Sequence, residues 1–263
     1  MQPLLECKNV SFAYHGIDGE TQALSELSFS LKDGEFAAVV GPSGCGKSTL
    51  LSLLCRLEEP EYGEIYLHGK PLCEHTEFHI GYMPQRDQLF EWRSILKNVM
   101  LGPEIRRCAD GEHLEFVEHL MREYGLWEFR NKRPGELSGG MRQRAALIRT
   151  LALQPELLLL DEPFSALDYQ TRLNVSEDIY RIIKREHKTA LLVTHDISEA
   201  VCMADKVLVL SARPARLVME VPIRIEMKER TPMKTRNTPE FKDYFNRIWK
   251  ELNPDVGKKE QEI

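Results

Sequence analysis

The chain has 263 residues, 42% of them hydrophobic and 29% charged, and its 41 acidic and 35 basic side chains leave a net charge of −6. This length and apolar content are typical of one or two packed domains and exclude intrinsic disorder, because such a chain can bury a sizeable core. The acidic balance argues against a nucleic-acid-binding surface, which needs a basic excess or a basic stripe to neutralise phosphates.

Membrane-spanning and secreted classes are also disfavoured. The longest apolar runs, Ala37–Val40, Leu50–Cys55 and Leu157–Leu160, fall far short of the about 18 residues that cross a bilayer. The N-terminus lacks the basic start and apolar stretch of a signal peptide. The six cysteines form no Cys-x-x-Cys pair, so we expect buried thiols in a reducing compartment. These features predict a soluble, cytosolic protein.

The N-terminal third is predicted to be β-structure with one helix. Apolar and polar residues alternate in the first two strands, an apolar run forms the third, and two short strands follow. In chain order these strands are Leu4–Tyr14, Ala23–Leu31, Phe36–Val40, Glu64–Leu67 and Ile80–Met83. The helix is predicted at Ser48–Leu57 and is ended by Pro60 and Gly63.

The middle of the chain, residues 85–152, changes character. Its large apolar residues fall at helical spacing and β-rich runs are absent, so it is predicted to be helical. Beyond it, buried strands alternate with a helix at residues 170–187. These strands are Leu157–Leu160, Ala190–Thr194 and Val207–Leu210. The alternation favours a parallel sheet covered on both faces, so the predicted fold class is α/β with a helical insertion.

The predicted organisation has three parts. Residues 1–84 and 153–222 form the α/β core with its N-terminal antiparallel β part, and residues 85–152 form a helical subdomain. Residues 223–263 form a charged C-terminal extension with weak periodicity. For this extension we expect a solvated surface with a short amphipathic helix at Phe241–Trp249.

A phosphate-binding loop is predicted between the third strand and the first helix. The stretch matches G-x-x-x-x-G-K-[ST] and consists of Gly41, Pro42, Ser43, Gly44, Cys45, Gly46, Lys47, Ser48 and Thr49. Its glycines let backbone N–H groups converge on phosphates at the positive end of a helix dipole. Lys47 is expected to reach the β- and γ-phosphates, and the Ser48 hydroxyl is expected to bind Mg²⁺.

The apolar strand Leu157–Leu160 ends in two carboxylates, Asp161 and Glu162. In a parallel sheet this end of a strand lies at the ligand-binding edge. Asp161 is therefore expected to hold Mg²⁺, directly or through water, and Glu162 is expected to orient and deprotonate an attacking water. The loop and the acidic strand end together predict nucleotide hydrolysis.

A second phosphate-binding element, without a lysine, is indicated at residues 137–144, of sequence LSGGMRQR. Ser138 is a good helix N-cap, and the bare amides of Gly139 and Gly140 can approach an anion closely. With the loop upstream and the carboxylates downstream, this stretch resembles the signature motif of ATP-binding cassette (ABC) ATPases. The resemblance covers about residues 4–220 and implies a P-loop NTPase (RecA-like) core with a helical signature subdomain.

Further positions match this family in order along the chain. Tyr14 stands where the family stacks an aromatic ring on adenine, and Gln85 resembles the Q-loop glutamine that senses the γ-phosphate and Mg²⁺. Asp168 ends a stretch that resembles the D-loop at the dimer interface, and His195 resembles the switch histidine near the γ-phosphate. Taken singly, a tyrosine on a strand or a histidine at a strand end is more often structural. The residues implied to act in catalysis are Lys47, Gln85, Glu162 and His195, and those implied to bind Mg²⁺ are Ser48, Gln85 and Asp161.

The resemblance also implies partners. In the family two such subunits bind head to tail, so that the Ser138–Gly140 loop of one covers ATP held by Lys47 of the other. A second ATPase subunit is therefore expected, with a homodimer favoured. Permease subunits would supply passage across the membrane, and an extracytoplasmic solute-binding protein would act indirectly. The chain is then expected at the cytoplasmic face of the cell membrane, as a peripheral subunit with no nucleic-acid partner.

Residues 85–93 indicate which group of ABC ATPases the chain resembles. They are similar to the stretch after the Q-loop in importers of nitrate, sulfonates, taurine and thiamine precursors, although that group usually carries Pro-Trp where this chain has Glu91 and Trp92. Exposed Leu89, Phe90 and Trp92 are expected to anchor a coupling helix of each membrane subunit. Ordinary packing under the helical subdomain is the alternative.

Three other functions stay open at this stage. A non-transport ABC ATPase, for example of the cluster-assembly type, would act with soluble partners. A P-loop kinase is disfavoured by the Leu-Ser-Gly-Gly element, and a scaffold without catalysis is disfavoured by the intact catalytic set. The favoured interpretation is the ATPase subunit of an importer, whose solute this subunit does not encode.

Overall fold

The computed structural model describes residues 2–17, 19–74 and 80–253, and strands alternate with helices along them. The strands, in chain order, are β1 (Leu5–Gly16), β2 (Gly19–Leu31), β3 (Phe36–Val40), β4 (Tyr62–Leu67), β5 (Lys70–Pro71), β6 (Ile80–Met83), β7 (Leu157–Asp161), β8 (Thr189–Val193), β9 (Lys206–Leu210) and β10 (Leu217–Pro222). The helices are α1 (Lys47–Leu54), α2 (Ile95–Val99), α3 (Leu101–Ile105), α4 (Gly111–Glu123), α5 (Gly139–Leu151), α6 (Tyr169–Arg185), α7 (Ile197–Met203), α8 (Pro232–Arg236) and α9 (Pro239–Leu252). Within the described ranges, none of the helices has the length and apolar character that crossing a membrane requires.

The chain forms two compact units. The first comes from Met1–Phe78 and Thr189–Ile263, and the second comes from His79–Lys188. The second unit is therefore inserted into the sequence of the first, and it contains α2 to α6. The three-part boundaries at residues 85–152 and 223–263 stay a prediction, because these units follow packing and not function.

The first unit contains an antiparallel sheet in the order β2-β1-β4-β5. Its two longest strands pair from Leu5, opposite Leu31, almost to their shared turn. In β2, buried Leu27 and Phe29 lie on either side of exposed Ser28, since side chains of a strand alternate between the two faces. The antiparallel part predicted from this alternation is confirmed.

The parallel part of the first unit leads directly into the phosphate-binding loop. β3 pairs in parallel with β8 and with β9, and every residue of the three strands is buried. Parallel strands covered on both faces are apolar throughout, which explains the unbroken apolar run of Phe36–Val40. β10, which the sequence did not predict, adds an antiparallel partner to β9.

The second unit contains the parallel pair β6 and β7, with Ile80 opposite Leu157. Leu157–Leu160 are fully buried, and the strand ends at the half-buried Asp161. Helix α5 packs against α2, α4 and α6. The helical character predicted for this region is confirmed, and the helix predicted at residues 170–187 is α6.

The C-terminal segment is not the solvated extension that the sequence predicts. Its predicted helix is present and extends further, as α9, but α8 and α9 both pack against α7. Thr235 and Ile248 of this segment are fully buried. The expectation was wrong because the few residues that make contact leave no recognisable pattern in a segment of mixed charge. Residues 254–263 lie outside the described part of the chain.

This packing predicts that α9 contributes to stability. Ile248→Ala removes the one residue of α9 that is fully buried, and we expect it to lower the free energy of unfolding by about 2–5 kcal/mol. Lys250→Ala, an exposed change two residues on, is the matched control and should stay within about 0.5 kcal/mol of wild type. Urea unfolding followed by circular dichroism measures both, and equal midpoints would contradict the docked position of α9.

Candidate functional site

The phosphate-binding loop of the first unit joins β3 to α1 through glycines in the left-handed region. Gly44 has φ 71° and Gly46 has φ 129°, conformations that side-chain-bearing residues rarely adopt. A Cβ at Gly46 would also lie 2.8 Å from the carbonyl oxygen of Ala23. Of the predicted loop residues, Gly41, Cys45, Gly46, Lys47 and Thr49 are buried, whereas Pro42, Ser43, Gly44 and Ser48 are exposed.

Helix α1 begins without a side-chain cap among the described residues, whereas α5, α6 and α7 are each capped by a side chain. The first N–H groups of a helix need acceptors, and an uncapped start is a natural anion site because the helix dipole adds positive potential. The start of α1 therefore fits the phosphates of a nucleotide.

Lys47, the first residue of α1, lies across this loop. Its Nζ donates to the carbonyl oxygens of Gly41 at 2.8 Å and Pro42 at 2.9 Å, and the residue is 7% exposed. Both partners are neutral, so the ammonium group brings a full positive charge to the uncapped helix start. This arrangement fits a lysine that contacts phosphate oxygens.

Tyr14 is hydrogen-bonded to the same helix. Its hydroxyl lies 3.1 Å from Oγ1 of Thr49, and its ring packs edge-on against Phe12 with the centroids 5.0 Å apart. Tyr14 keeps 43% of its surface exposed. The ring is thus held beside the phosphate-binding loop with surface left for stacking on an adenine base.

His195 follows the buried strand β8 at the start of a tightly bonded turn. The Thr194 hydroxyl donates to the Glu199 carboxylate at 2.7 Å and accepts from the N–H of Asp196 at 3.0 Å. Asp196 caps α7 by accepting from the N–H of Ser198 at 2.7 Å. This network was missed in the sequence, although an Asp followed three residues later by Glu is a helix-start signal.

In the second unit, the carboxyl ends of β6 and β7 bring Gln85, Asp161 and Glu162 together. Gln85 Nε2 donates to Glu162 Oε2 at 3.3 Å and to Ser165 Oγ at 3.1 Å. The Tyr82 hydroxyl, which the sequence analysis did not single out, donates to Asp161 Oδ2 at 3.0 Å. The predicted grouping of these three residues follows from the parallel pairing of the two strands.

Glu162 has an unusual backbone conformation. Its φ of 43° places a residue with a side chain in the left-handed region, which costs free energy and occurs at functional sites more than elsewhere. The chain turns sharply here, directly after β7, and the carboxylate points to the Gln85 amide. The same turn is closed by a bond from the Ser165 hydroxyl to the Glu162 carbonyl at 3.0 Å.

The signature stretch begins α5, where Ser138 is the N-cap and accepts from the N–H of Met141 at 3.3 Å. A Cβ at Gly140 would lie 2.8 Å from Val175 of α6, and one at Gly139 would lie 3.1 Å from Leu167. The two glycines therefore also serve close packing, in addition to leaving backbone amides bare as predicted.

Asp168 caps α6 and accepts from the N–H of Thr171 at 3.0 Å. Hydrogen bonds from Thr171 hold the pKa of the Asp168 carboxyl below its usual range, so this side chain is a carboxylate at neutral pH. Its predicted contact across a dimer interface stays a prediction.

The segment after Gln85 is tied to α5 through arginines. Arg142 Nε donates to Asp87 Oδ2 at 3.0 Å, and Arg149 donates to the Asp87 carbonyl at 2.7 Å. Leu89, predicted to be exposed, is 7% exposed, whereas Trp92 is 74% exposed. The prediction for Leu89 was wrong because the segment turns this side chain inward, and Phe90, also predicted to be exposed, is half-buried. Of the three predicted anchor residues, Trp92 is the one that is largely exposed.

No group of three or more His, Cys, Asp or Glu side chains in the described ranges is placed to hold a metal ion by itself. Mg²⁺ is commonly bound by one or two protein oxygens together with substrate phosphates. The Ser48 hydroxyl in the first unit, and the Gln85 amide oxygen and Asp161 carboxylate in the second unit, are oxygens of the kind that it prefers. Each unit by itself therefore offers donors that fit Mg²⁺ bound together with a nucleotide.

Comparisons with known proteins indicate one family. The family model described as ABC transporter matches residues 24–165. The chain is similar to an uncharacterized ABC transporter ATP-binding protein, YtlC, of Bacillus subtilis, with 45% identity over 249 residues that cover 95% of both chains. It is similar to the nitrate import ATP-binding protein NrtD of Synechocystis sp., with 37% identity and 93% coverage of both chains.

Among solved structures, the chain is similar to the ATP-binding cassette MJ0796, described as a dimeric post-hydrolysis state bound to ADP and Pi. The TM-score is 0.70 at 29% sequence identity, with 84% of this chain and 100% of that chain covered. The predicted fold class, a parallel α/β core with an antiparallel β part, is confirmed by this likeness.

Thiol accessibility predicts a ranking of cysteine reactivity. The expectation of buried cysteines is confirmed for Cys7, Cys45 and Cys202, whereas Cys55 and Cys108 are half-buried and Cys73 is exposed. Burial raises the pKa of the Cys202 thiol to about 11, so it stays protonated and unreactive at pH 8. Cys45 is buried, and its sulfur would lie 2.9 Å from a Cβ at Gly41. Iodoacetamide at pH 8, followed by peptide mass spectrometry, should label Cys73 first and leave Cys45 and Cys202 unmodified.

ATP serves as the control in this labelling experiment. Because Cys45 is buried within the loop itself, ATP should not change its labelling. Labelling of Cys45 as fast as Cys73 would contradict the structure of the loop.

Proposed function

The chain belongs to the ABC transporter family, and from this premise we propose that it binds ATP with Mg²⁺, hydrolyses the ATP, and drives uptake of a small solute through separate membrane subunits. The observation that carries the proposal is the uncapped start of α1, with the Lys47 ammonium lying across the loop. Its likeness to a cassette whose title names ADP and Pi supports the nucleotide.

In this proposal each site residue has a distinct task in binding. The loop amides and Lys47 neutralise phosphate charge, and Tyr14 stacks on the adenine. Ser48, Gln85 and Asp161 would hold Mg²⁺, which would supply charge neutralisation on the phosphate oxygens. Ser48 is exposed, and hydrogen bonds with Tyr82 and Ser165 fix the Asp161 and Gln85 side chains, which supports these assignments.

Hydrolysis needs a proton acceptor for the attacking water, and we assign this task to Glu162. Its position after a buried strand and its left-handed backbone aim a carboxylate that Gln85 holds by a hydrogen bond. His195, on its tightly bonded turn, donates a hydrogen bond to the γ-phosphate and stabilises the charge that develops there. Lys47 acts on the same charge.

The proposal includes a dimer. Each chain carries one phosphate-binding loop and one signature stretch, and the similar cassette is described as dimeric. The Ser138–Gly140 loop of one subunit would cover ATP held by Lys47 of the other. Two ATP molecules would then join the subunits, and hydrolysis would release them, because the bridging phosphate contacts are lost.

The proposed membrane partners would dock on the segment between Gln85 and Asn98. Trp92 is largely exposed there, and its ring lies beside that of the half-buried Phe90, with the centroids 4.8 Å apart and the planes tilted by 31°. Asn98 is fully buried and fixes the segment by accepting from the N–H of Phe90 at 2.7 Å. An exposed tryptophan on a segment that is fixed from below is a good anchor for a partner helix.

Import is supported by the likeness to a nitrate import ATP-binding protein. The solute would be of the nitrate, sulfonate, taurine or thiamine-precursor type, delivered by an extracytoplasmic binding protein. The chain itself would be peripheral, on the cytoplasmic face of the membrane. A non-transport ABC ATPase acting with soluble partners is the competing function.

Replacing the proposed base tests hydrolysis directly. Glu162→Gln removes the proton acceptor and keeps the size of the side chain, so we expect turnover to fall by about 100-fold or more. ATP binding should persist because the loop and Lys47 are unchanged. Phosphate release and calorimetric titration with ATP and Mg²⁺ measure the two properties, and size-exclusion chromatography with ATP should show a dimer.

Two further variants serve as a control for Glu162→Gln and as a separate test of ATP binding. Glu128→Gln is an exposed change in the same unit and should leave turnover unchanged. Lys47→Ala should weaken ATP binding itself. Near-normal hydrolysis in Glu162→Gln would refute the assignment of the base, and a monomer at every ATP concentration would refute the dimer.

Charging the exposed anchor tests the membrane partner. Trp92→Asp should lower the fraction of the chain that sediments with membranes of its host by about tenfold or more, because an aromatic anchor would be lost. Ile105→Asp is the matched control, since Ile105 is 72% exposed in the same unit. Equal sedimentation of the two variants would contradict docking at Trp92.

A further inference from the structure

Helix α7 carries the turn on which His195 lies. His195 directly precedes Asp196, the N-cap of α7, and the Thr194 hydroxyl is bonded to Glu199 in the first turn of the helix. With these bonds in place, the turn moves with the helix. The position of α7 therefore sets the position of His195.

The other end of α7 is held by Arg230 of the C-terminal segment. The Arg230 guanidinium donates to the Val201 carbonyl at 3.1 Å and to the Ala204 carbonyl at 2.6 Å. Carbonyls in the last turn of a helix lack helical partners and carry negative potential, so a cation is stabilising there. The Arg230 side chain is only 14% exposed, which makes it a fixed contact.

Arg230 also links α7 to the strand that leads into the phosphate-binding loop. Its guanidinium lies 3.4 Å from Oδ1 of Asp205. The same carboxylate accepts from the N–H of Phe36 at 2.9 Å, and the N–H of Asp205 donates to the Phe36 carbonyl at 2.6 Å. One arginine thus joins the end of α7 to the first residue of β3.

Apolar and buried polar contacts reinforce this arrangement. Both α8 and α9 pack against α7, with Thr235 and Ile248 fully buried. The N–H of Ile223 donates to the Asp205 carbonyl at 2.8 Å, where the segment leaves β10. The C-terminal segment therefore contacts both α7 and the residues that directly follow this helix.

We infer that residues 223–252 are a C-terminal clamp that holds α7 and so orients His195 for hydrolysis, with Arg230 as its positioning residue. This inference rests on the proposed role of His195. The C-terminal segment then has a role in hydrolysis, because the clamp contacts α7, the helix that follows the histidine, and is linked to β3, the strand that precedes the phosphate-binding loop. Its link to β3 is at Phe36, the end of the strand that is remote from the phosphate-binding loop, so we expect an effect on turnover and little effect on ATP binding.

The test is Arg230→Gln, with Arg224→Gln as the matched control, because Arg224 is an exposed arginine of the same segment. We expect Arg230→Gln to keep KM for ATP within about twofold and to lower kcat by about tenfold or more, as misplacement of a reacting group does. Hydrogen exchange of the peptide 194–204 should rise by about tenfold, because the helix loses its last-turn partner. Arg224→Gln should change none of these values.

A double-mutant cycle with His195→Ala shows where Arg230 acts. If Arg230 works through His195, adding Arg230→Gln to His195→Ala should cause no further loss of kcat. A further tenfold loss would overturn the inference, as would wild-type kcat and exchange in Arg230→Gln. Wild-type hydrolysis in His195→Ala alone would instead overturn the role of His195 in the proposed function.

A conservative variant covers the case in which Arg230→Gln does not fold. Arg230→Lys keeps the positive charge and an N–H donor group for the carbonyls of α7 but loses the planar guanidinium. It should retain a cooperative thermal transition, lose part of kcat and show raised exchange in the peptide 194–204. Wild-type kcat and wild-type exchange in this variant would overturn the inference.

Discussion

The positive end of helix α1 is the constraint on which the first unit depends. Its first N–H groups have no side-chain cap in the described part of the chain, and Lys47 adds an ammonium charge at the same place. Unpaired N–H groups are costly unless an acceptor arrives, so this loop is built to receive an anion. The buried strand β3 fixes where the loop starts, two left-handed glycines set its path, and Thr49 holds Tyr14 beside it.

In both units, polar side chains lie at the carboxyl end of a buried strand. A buried strand ends at polar side chains to which we assign the chemistry: Asp161 is the last residue of β7 and Glu162 follows it, and His195 lies two residues beyond β8. The first turn is strained by a left-handed Glu162 and closed by Ser165. The second turn is held by Thr194 and by the cap of α7, to which the C-terminal clamp adds contacts at the far end of the helix.

The sequence predicted those parts of the fold that depend on long patterns. Alternation and apolar runs identified the antiparallel part, the buried strands and α6. The roles expected of Gln85 and Glu162 came from motifs and resemblance, whereas the pairing of β6 with β7 and the hydrogen bond between the two side chains were found only in the structure. Contacts that depend on single residues could not be predicted. The docking of α9 rests on Ile248, and the clamp rests on one guanidinium meeting two carbonyls, neither of which leaves a periodic signal.

The most direct test of the transporter account is to purify the tagged chain from membranes of its own host in mild detergent and to identify the proteins that accompany it. The account predicts a polytopic membrane protein at near-equal stoichiometry, with a solute-binding protein as a weaker companion. Soluble partners alone would contradict the account and would identify the chain as an ABC ATPase with a task other than transport.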